Sequence, residues 1–94
     1  MARRYPPSYP AGEGEFLSIS ERLVVSPQWG RFHGEPIEEG RTLAAGMVMG
    51  TVVQGRDERF IRAPGRVVLL QWLAYEGQWV SPGTPLARLR LSGE

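Results

Sequence analysis

His33 is the only histidine in the chain, so it is the first residue to consider for acid–base or metal chemistry. One histidine cannot complete a metal site, and the sequence contains no cysteine that could add a thiolate ligand. Glu35 or Glu38 could pair with the imidazole, but neither a nucleophile nor a third orienting group is evident nearby. We therefore expect a surface histidine, no metal site and no catalytic residues.

Glu39 and Glu76 are a second candidate, because paired carboxylates perform general acid–base chemistry. They belong to the motifs Glu39-Gly40-x-x-Leu43-x-x-Gly46 and Glu76-Gly77-x-x-Val80-x-x-Gly83, which lie 37 residues apart. A position repeated in this way favours a structural role at a turn, where glycine adopts positive φ without a Cβ clash. Six residues are expected to build these turns: Glu39, Gly40, Gly46, Glu76, Gly77 and Gly83.

The 37-residue spacing extends beyond the two motifs. An alternating segment follows each motif, at 47–53 and 85–91, and the pairs Ser26-Pro27 and Ala63-Pro64 are also 37 residues apart. So long a repeat in a short chain predicts two similar halves packed as one unit.

The rest of the chain favours strands over helices. Twelve glycines and eight prolines in 94 residues are typical of short strands joined by tight turns, and no segment has a convincing helical period. Besides the two segments above, strands are predicted at 16–19, 22–26, 30–33, 59–63 and 66–73. Residues 1–15 have no apolar periodicity and are predicted to be a flexible arm, followed by one β domain at 16–94.

Charge and hydropathy limit the partners. All eleven basic residues are arginine, and ten acidic residues leave a net charge of +1, which provides no overall field for nucleic acid. No apolar run approaches the roughly 18 residues that span a bilayer. The first residues carry charge but no apolar stretch, so no secretory signal is expected. We expect a cytoplasmic protein that binds neither membrane nor nucleic acid.

An ordered set of motifs covers residues 22–91. It consists of Ser26-Pro27-x-x-Gly30-x-Phe32, the two Glu-Gly motifs, and Ile61-x-Ala63-Pro64-Gly65-x-Val67. The set resembles the biotin carboxyl carrier domains of the biotinyl/lipoyl domain superfamily. The resemblance implies an all-β fold, a flattened β-barrel (barrel-sandwich hybrid) of two four-stranded antiparallel sheets related by a quasi-twofold axis.

In carrier domains of this superfamily, biotin or lipoate is attached to a lysine on the hairpin between the halves. The resemblance places that lysine on Arg56, and Gly55 and Asp57 replace the flanking methionines. The sequence contains no lysine, and a guanidinium is not an acyl acceptor. We therefore expect no cofactor. The tip formed by Gly55, Arg56, Asp57 and Glu58 is either a solvated turn with weak surface ion pairs or a docking surface where Arg56 contacts a partner carboxylate.

Three tryptophans, Trp29, Trp72 and Trp79, are many for this length. Two are expected to fill or cover the core, and an exposed pair of Trp29 and Trp79 would mark an interface.

The sequence thus predicts a non-catalytic, unmodified biotinyl/lipoyl-like module that binds a protein partner, in a carboxylase or acyltransferase-type complex. The identity of the partner is open, and a homodimer is compatible with exposed strand edges. One alternative is the barrel element of a membrane-fusion or export adaptor, which the short tip Gln54–Glu58 disfavours because it cannot hold a helical insert. Another is a small nucleic-acid-binding β-barrel, which the low net charge disfavours.

Overall fold

The computed structural model describes residues 20–92, which form eight strands and no helix. The strands are β1 (Glu21–Val25), β2 (Gly30–Gly34), β3 (Thr42–Leu43), β4 (Val48–Gln54), β5 (Asp57–Arg62), β6 (Val67–Trp72), β7 (Trp79–Val80) and β8 (Pro85–Leu91). Six strands match predicted segments closely, whereas β3 and β7 were expected only as turns. The predicted arm at 1–15 and the predicted strand at 16–19 lie outside the described residues. No helix in this part of the chain could cross a membrane.

The strands form two antiparallel sheets of four strands each. Sheet I has the order β1-β8-β6-β3, and sheet II has the order β5-β4-β2-β7. The predicted all-β class with two four-stranded sheets is therefore confirmed. Within residues 20–92 no strand pairing joins sheet I to sheet II, so the sheets pack as an open sandwich and do not close into a continuous barrel.

The two halves of the chain correspond strand for strand. Moving 37 residues along the sequence takes β3 onto β7 and β4 onto β8 with identical bounds, and takes β1 and β2 onto β5 and β6 within one residue. The turn hydrogen bonds repeat as well, since Gly40 N–H donates to the Leu69 carbonyl at 2.6 Å and Gly77 N–H donates to the Phe32 carbonyl at 2.7 Å. Each sheet contains two strands from each half.

The core lies between the sheets and draws on both halves. Leu43 and Val80, the apolar residues of the two repeated motifs, are both fully buried. Trp72 is half-buried and packs against this core, with its ring centroid 5.9 Å from that of Phe32. The Trp72 indole N–H donates to the Ile37 carbonyl at 2.9 Å, so the polar end of the side chain is satisfied.

Gly50 marks a close approach of β4 to β2. A Cβ at this position would lie 2.6 Å from the backbone oxygen of His33 and 3.0 Å from a ring carbon of Phe32. The register of β4 against β5 also shifts between Val48 and Gly50. Neither neighbour can move away easily, because one is strand backbone and the other is a core ring.

We therefore expect Gly50→Ala to lower the free energy of unfolding by about 1–3 kcal/mol, the usual cost of overpacking a core. The matched control is Gly65→Ala, whose new Cβ would meet no atom within 4 Å and which should change stability by less than about 0.5 kcal/mol. Urea unfolding followed by tryptophan fluorescence measures both changes. Equal stability of the two variants would contradict the close approach.

Candidate functional site

The hairpin between the halves ends in a two-residue turn. Gln54 pairs with Asp57, which leaves only Gly55 and Arg56 to connect β4 and β5. Gly55 has a φ of 60°, and a positive φ at the first central residue is typical of tight hairpin turns. The turn is shorter than the predicted tip, because Asp57 and Glu58 belong to β5. Arg56 therefore lies exposed at the apex of the hairpin.

The hairpin is braced near its tip by Gln28. The Gln28 side-chain amide donates to the Val52 carbonyl on β4 at 3.1 Å and to the Asp57 carbonyl on β5 at 3.3 Å. Gln28 is in turn fixed by the buried Ser26, whose hydroxyl donates to the Gln28 carbonyl at 2.7 Å. Sequence reasoning missed this role, although Gln28 lies within the segment that opens the resemblance.

The charges at the tip have no partners within the described part of the chain. No opposite charge lies within 4 Å of Arg56, Asp57 or Glu58. The surface ion pairs expected for a purely solvated turn are therefore not formed. Within residues 20–92 the Arg56 guanidinium, which carries five N–H donors, has no carboxylate partner.

His33 is exposed, as expected, and it pairs with Glu76 and with neither of the two glutamates considered from the sequence, Glu35 and Glu38. The imidazole Nδ1 lies 2.5 Å from Glu76 Oε2, and Glu76 Oε1 accepts a hydrogen bond from Gly34 N–H at 3.0 Å. The hydrogen bond from His33, supported by the Gly34 N–H, holds the pKa of Glu76 below its ordinary value. Sequence proximity misled the prediction, because β2 meets the turn that follows β6 only in the folded chain.

Glu39 makes the corresponding contact in the other half. Its Oε2 accepts a hydrogen bond from Trp72 N–H at 2.9 Å. Both repeated glutamates thus bind a backbone amide of the opposite half, and the glycine after each has a positive φ, 97° at Gly40 and 81° at Gly77. Gly46 and Gly83, which complete the motifs, also have positive φ. The arrangement is that of structural turns.

Other ligand-binding features are few in residues 20–92. No group of three or more histidine and acidic side chains is close enough together to hold a metal ion. One open depression lies at the first Glu-Gly turn and is lined by Pro36 and residues 38–41. Its acidic and basic side chains face solvent, and it contains neither histidine nor hydroxyl groups.

Two of the three tryptophans are on the surface. Trp29 is 52% exposed and Trp79 is 47% exposed, whereas Trp72 is half-buried. Sheet II also exposes Phe60 on β5, which sequence reasoning did not single out. Phe60 alternates with the buried Ile61, and this period-2 alternation is the signal that could have identified it.

Known structures share this fold. Against a single-chain, multi-domain long-chain acyl-CoA carboxylase the TM-score is 0.74 with 21% identity, over 86% of this chain and 8% of that one. Against the Kluyveromyces lactis urea carboxylase the TM-score is 0.69 with 20% identity, over 86% and 7% of the two chains. A Shewanella frigidimarina protein assigned as a succinylglutamate desuccinylase/aspartoacylase gives 0.64 with 18% identity, over 78% and 20%.

These likenesses establish the fold alone. No protein-family model matches the sequence, and no curated protein matches it. The chain spans between 7% and 20% of the length of the three proteins, so it corresponds to a small part of each. Two of them are carboxylases, in agreement with the biotinyl-like fold that the sequence motifs imply.

The His33–Glu76 pair should make stability depend on pH. Because the pKa of Glu76 is lower in the folded chain, its stabilising effect is complete above the pKa of an unfolded glutamate and is lost as the pH falls through the folded value. We expect the thermal midpoint to decrease over this acidic range. Glu76→Gln should flatten the decrease, because glutamine keeps an oxygen for Gly34 N–H but has no charge to lose.

The matched control is Glu39→Gln, which alters the equivalent turn but has no histidine partner. It should keep the wild-type pH dependence. Circular dichroism melts between about pH 3 and pH 7 measure all three proteins. A Glu76→Gln profile as steep as that of the wild type would contradict the assigned pair.

Proposed function

We propose that this chain is an unmodified biotinyl/lipoyl-like module that binds a partner protein and performs no catalysis, within a carboxylase or acyltransferase-type assembly. The observation that carries the proposal is the position of Arg56. It occupies the apex of a braced two-residue turn, where the resemblance expects the acceptor lysine.

The chemistry of Arg56 supports binding of a partner protein in place of covalent attachment of biotin or lipoate. A guanidinium stays protonated in proteins, so it has no nucleophilic nitrogen that could accept biotin or lipoate. The same planar group donates two parallel hydrogen bonds to a carboxylate. With no opposite charge near it in residues 20–92, Arg56 is available for such a contact with a partner.

The assembly class rests on the motif set and on the likeness to two carboxylases. The likeness to a desuccinylase/aspartoacylase-type protein indicates that the fold also serves elsewhere, so the partner test below includes other enzyme subunits among its outcomes. No observation favours the export adaptor, because a two-residue turn leaves no room for its helical insert. Nucleic-acid binding is disfavoured by the net charge of +1.

The first test is the intact mass of the protein purified from the organism that encodes it. We expect the mass of the unmodified chain, because no residue at the tip can form the carrier amide. A mass increase that matches biotin or lipoate would refute the unmodified state.

The second test is affinity capture from the same organism with the full chain as bait. We expect carboxylase or acyltransferase subunits to be recovered, and Arg56→Glu to reduce their recovery by about tenfold because it reverses the charge that meets the partner carboxylate. Arg66→Glu is the matched control, since Arg66 is also exposed but lies outside the tip. Recovery of unrelated enzymes, no recovery, or an equal loss with both variants would contradict the proposal.

A further inference from the structure

The outer face of sheet II carries two arginines stacked on aromatic rings. The Arg31 guanidinium carbon lies 5.5 Å from the Trp79 ring centroid, and that of Arg62 lies 5.7 Å from the Phe60 ring centroid. Trp79 and Phe60 are each about half exposed. Arg31 and Phe60 point outward, because their strand neighbours Phe32 and Ile61 are buried in the core.

Each of the two arginines is held in place by a second contact. Arg31 Nη1 donates to the Gly77 carbonyl at 3.1 Å, and Arg62 Nη1 donates to the Gly46 carbonyl at 3.1 Å. A stacked and anchored guanidinium has already lost part of its side-chain freedom, so it loses less on binding a ligand. The two side chains are thus preorganised on one face.

Neither arginine is neutralised within residues 20–92. No carboxylate lies within 4 Å of Arg31 or Arg62. The carboxylate of Glu76, at the border of this face, is already engaged by His33 and by Gly34 N–H. Two fixed positive charges therefore remain without a carboxylate partner on a surface that also exposes two aromatic rings.

A strip of small side chains on β4 lies between the two cation–aromatic pairs. Arg31 is on β2 and Arg62 is on β5, and β4 runs between them, so the two strands are two spacings or about 10 Å apart. The two arginines are also offset along β4 by roughly 15 Å, because Arg31 is in register with Val53 and Arg62 with Val48. The outward residues Thr51 and Val53 of β4 lie diagonally between them and are half-buried. The face thus has a shallow strip of small side chains on β4 that runs diagonally from one cation–aromatic pair to the other.

We propose that this outer face of sheet II binds an acidic, extended segment of the partner protein. Carboxylates of the segment contact Arg31 and Arg62, and its apolar side chains lie over Thr51 and Val53. The inference rests on the proposed function and deepens it, because it names the surface and the chemistry of the partner. The surface is continuous with the hairpin tip, since β4 and β5 run from the strip directly to Arg56.

The charge pattern favours an acidic segment over two other ligands, a nucleic-acid strand and a second copy of the chain. A nucleic-acid strand requires a continuous basic stripe, whereas Glu58 lies in the same row as Arg31, both being in register with Val53. A second copy of the chain would present the same patch in a twofold dimer. Such a dimer would bring Arg31 and Arg62 of one copy close to the same two arginines of the other copy. The like charges would repel each other.

The test uses a fluorescein-labelled nine-residue peptide, Ser-Glu-Ser-Leu-Ser-Leu-Ser-Glu-Ser, whose glutamates and leucines share one face when it is extended. A matched peptide has glutamine in place of glutamate. Fluorescence anisotropy at low salt measures binding to the full chain. We expect the acidic peptide to bind at least about tenfold more tightly than the glutamine peptide. The double variant Arg31→Gln/Arg62→Gln should lose this preference.

Two further double variants distinguish binding at this face from a general effect of net charge. Arg66→Gln/Arg90→Gln makes the same charge change at exposed residues outside this face and should keep the preference. Arg31→Lys/Arg62→Lys keeps the charge but loses the planar fork, and should bind with intermediate affinity. Thermal melts of every variant establish that it is folded before binding is compared.

The proposal is overturned if the two peptides bind equally, if both glutamine double variants lose the preference alike, or if a 15-nucleotide oligo-dT binds more tightly than the acidic peptide. Light scattering that shows a dimer whose formation requires Arg31 and Arg62 would also overturn it. If a partner is captured but the chain does not prefer the acidic peptide, the proposed binding surface is refuted and the proposed function is not. A peptide preference without capture would refute the proposed function and leave the surface supported.

Discussion

The fold depends on hydrogen bonds that each half of the chain exchanges with the other. Gly40 N–H donates to the carbonyl of Leu69, and Gly77 N–H donates to that of Phe32. The two repeated glutamates add a side-chain acceptor to each turn. Because each sheet draws two strands from each half, neither half can complete a sheet or satisfy its own turns. The halves are therefore expected to fold together as one cooperative unit.

This exchange also builds the surfaces that we propose bind a partner. Sheet II takes β2 and β4 from the first half and β5 and β7 from the second, so Arg31 and Arg62 are brought onto one face although they are distant in sequence. The hairpin of β4 and β5 is the covalent link between the halves, and its tip projects at the end of the same sheet. The tip and the arginine–aromatic face thus lie on one continuous surface of sheet II.

The elements readable from the sequence were those with local signals. The glycine at each repeated turn was predictable because only glycine adopts positive φ at low cost, and the alternating segments indicated β4 and β8. The strands β3 and β7 were missed because two residues carry no periodicity. They were recognised only as part of turns, although Leu43 and Val80 fill the core.

The candidate sites were harder to predict because they join distant residues. The partner of His33 is 43 residues away, and the nearby glutamates were a poor guide. The stack of Arg31 on Trp79 depends on the pairing of β2 with β7, which no local pattern reveals. The stack of Arg62 on Phe60 was within reach, since residues two apart share a strand face.

The central claim is that the chain uses its carrier-like tip to bind a partner, and site-specific crosslinking tests it most directly. The chain has no cysteine, so Gln54→Cys introduces a unique thiol beside the turn and leaves Arg56 in place. With a benzophenone maleimide attached, illumination in an extract of the encoding organism should give a covalent adduct with a second protein. The same label at Arg90→Cys, on the opposite sheet, should give none. Equal adducts from both positions, or none from position 54, would contradict the account.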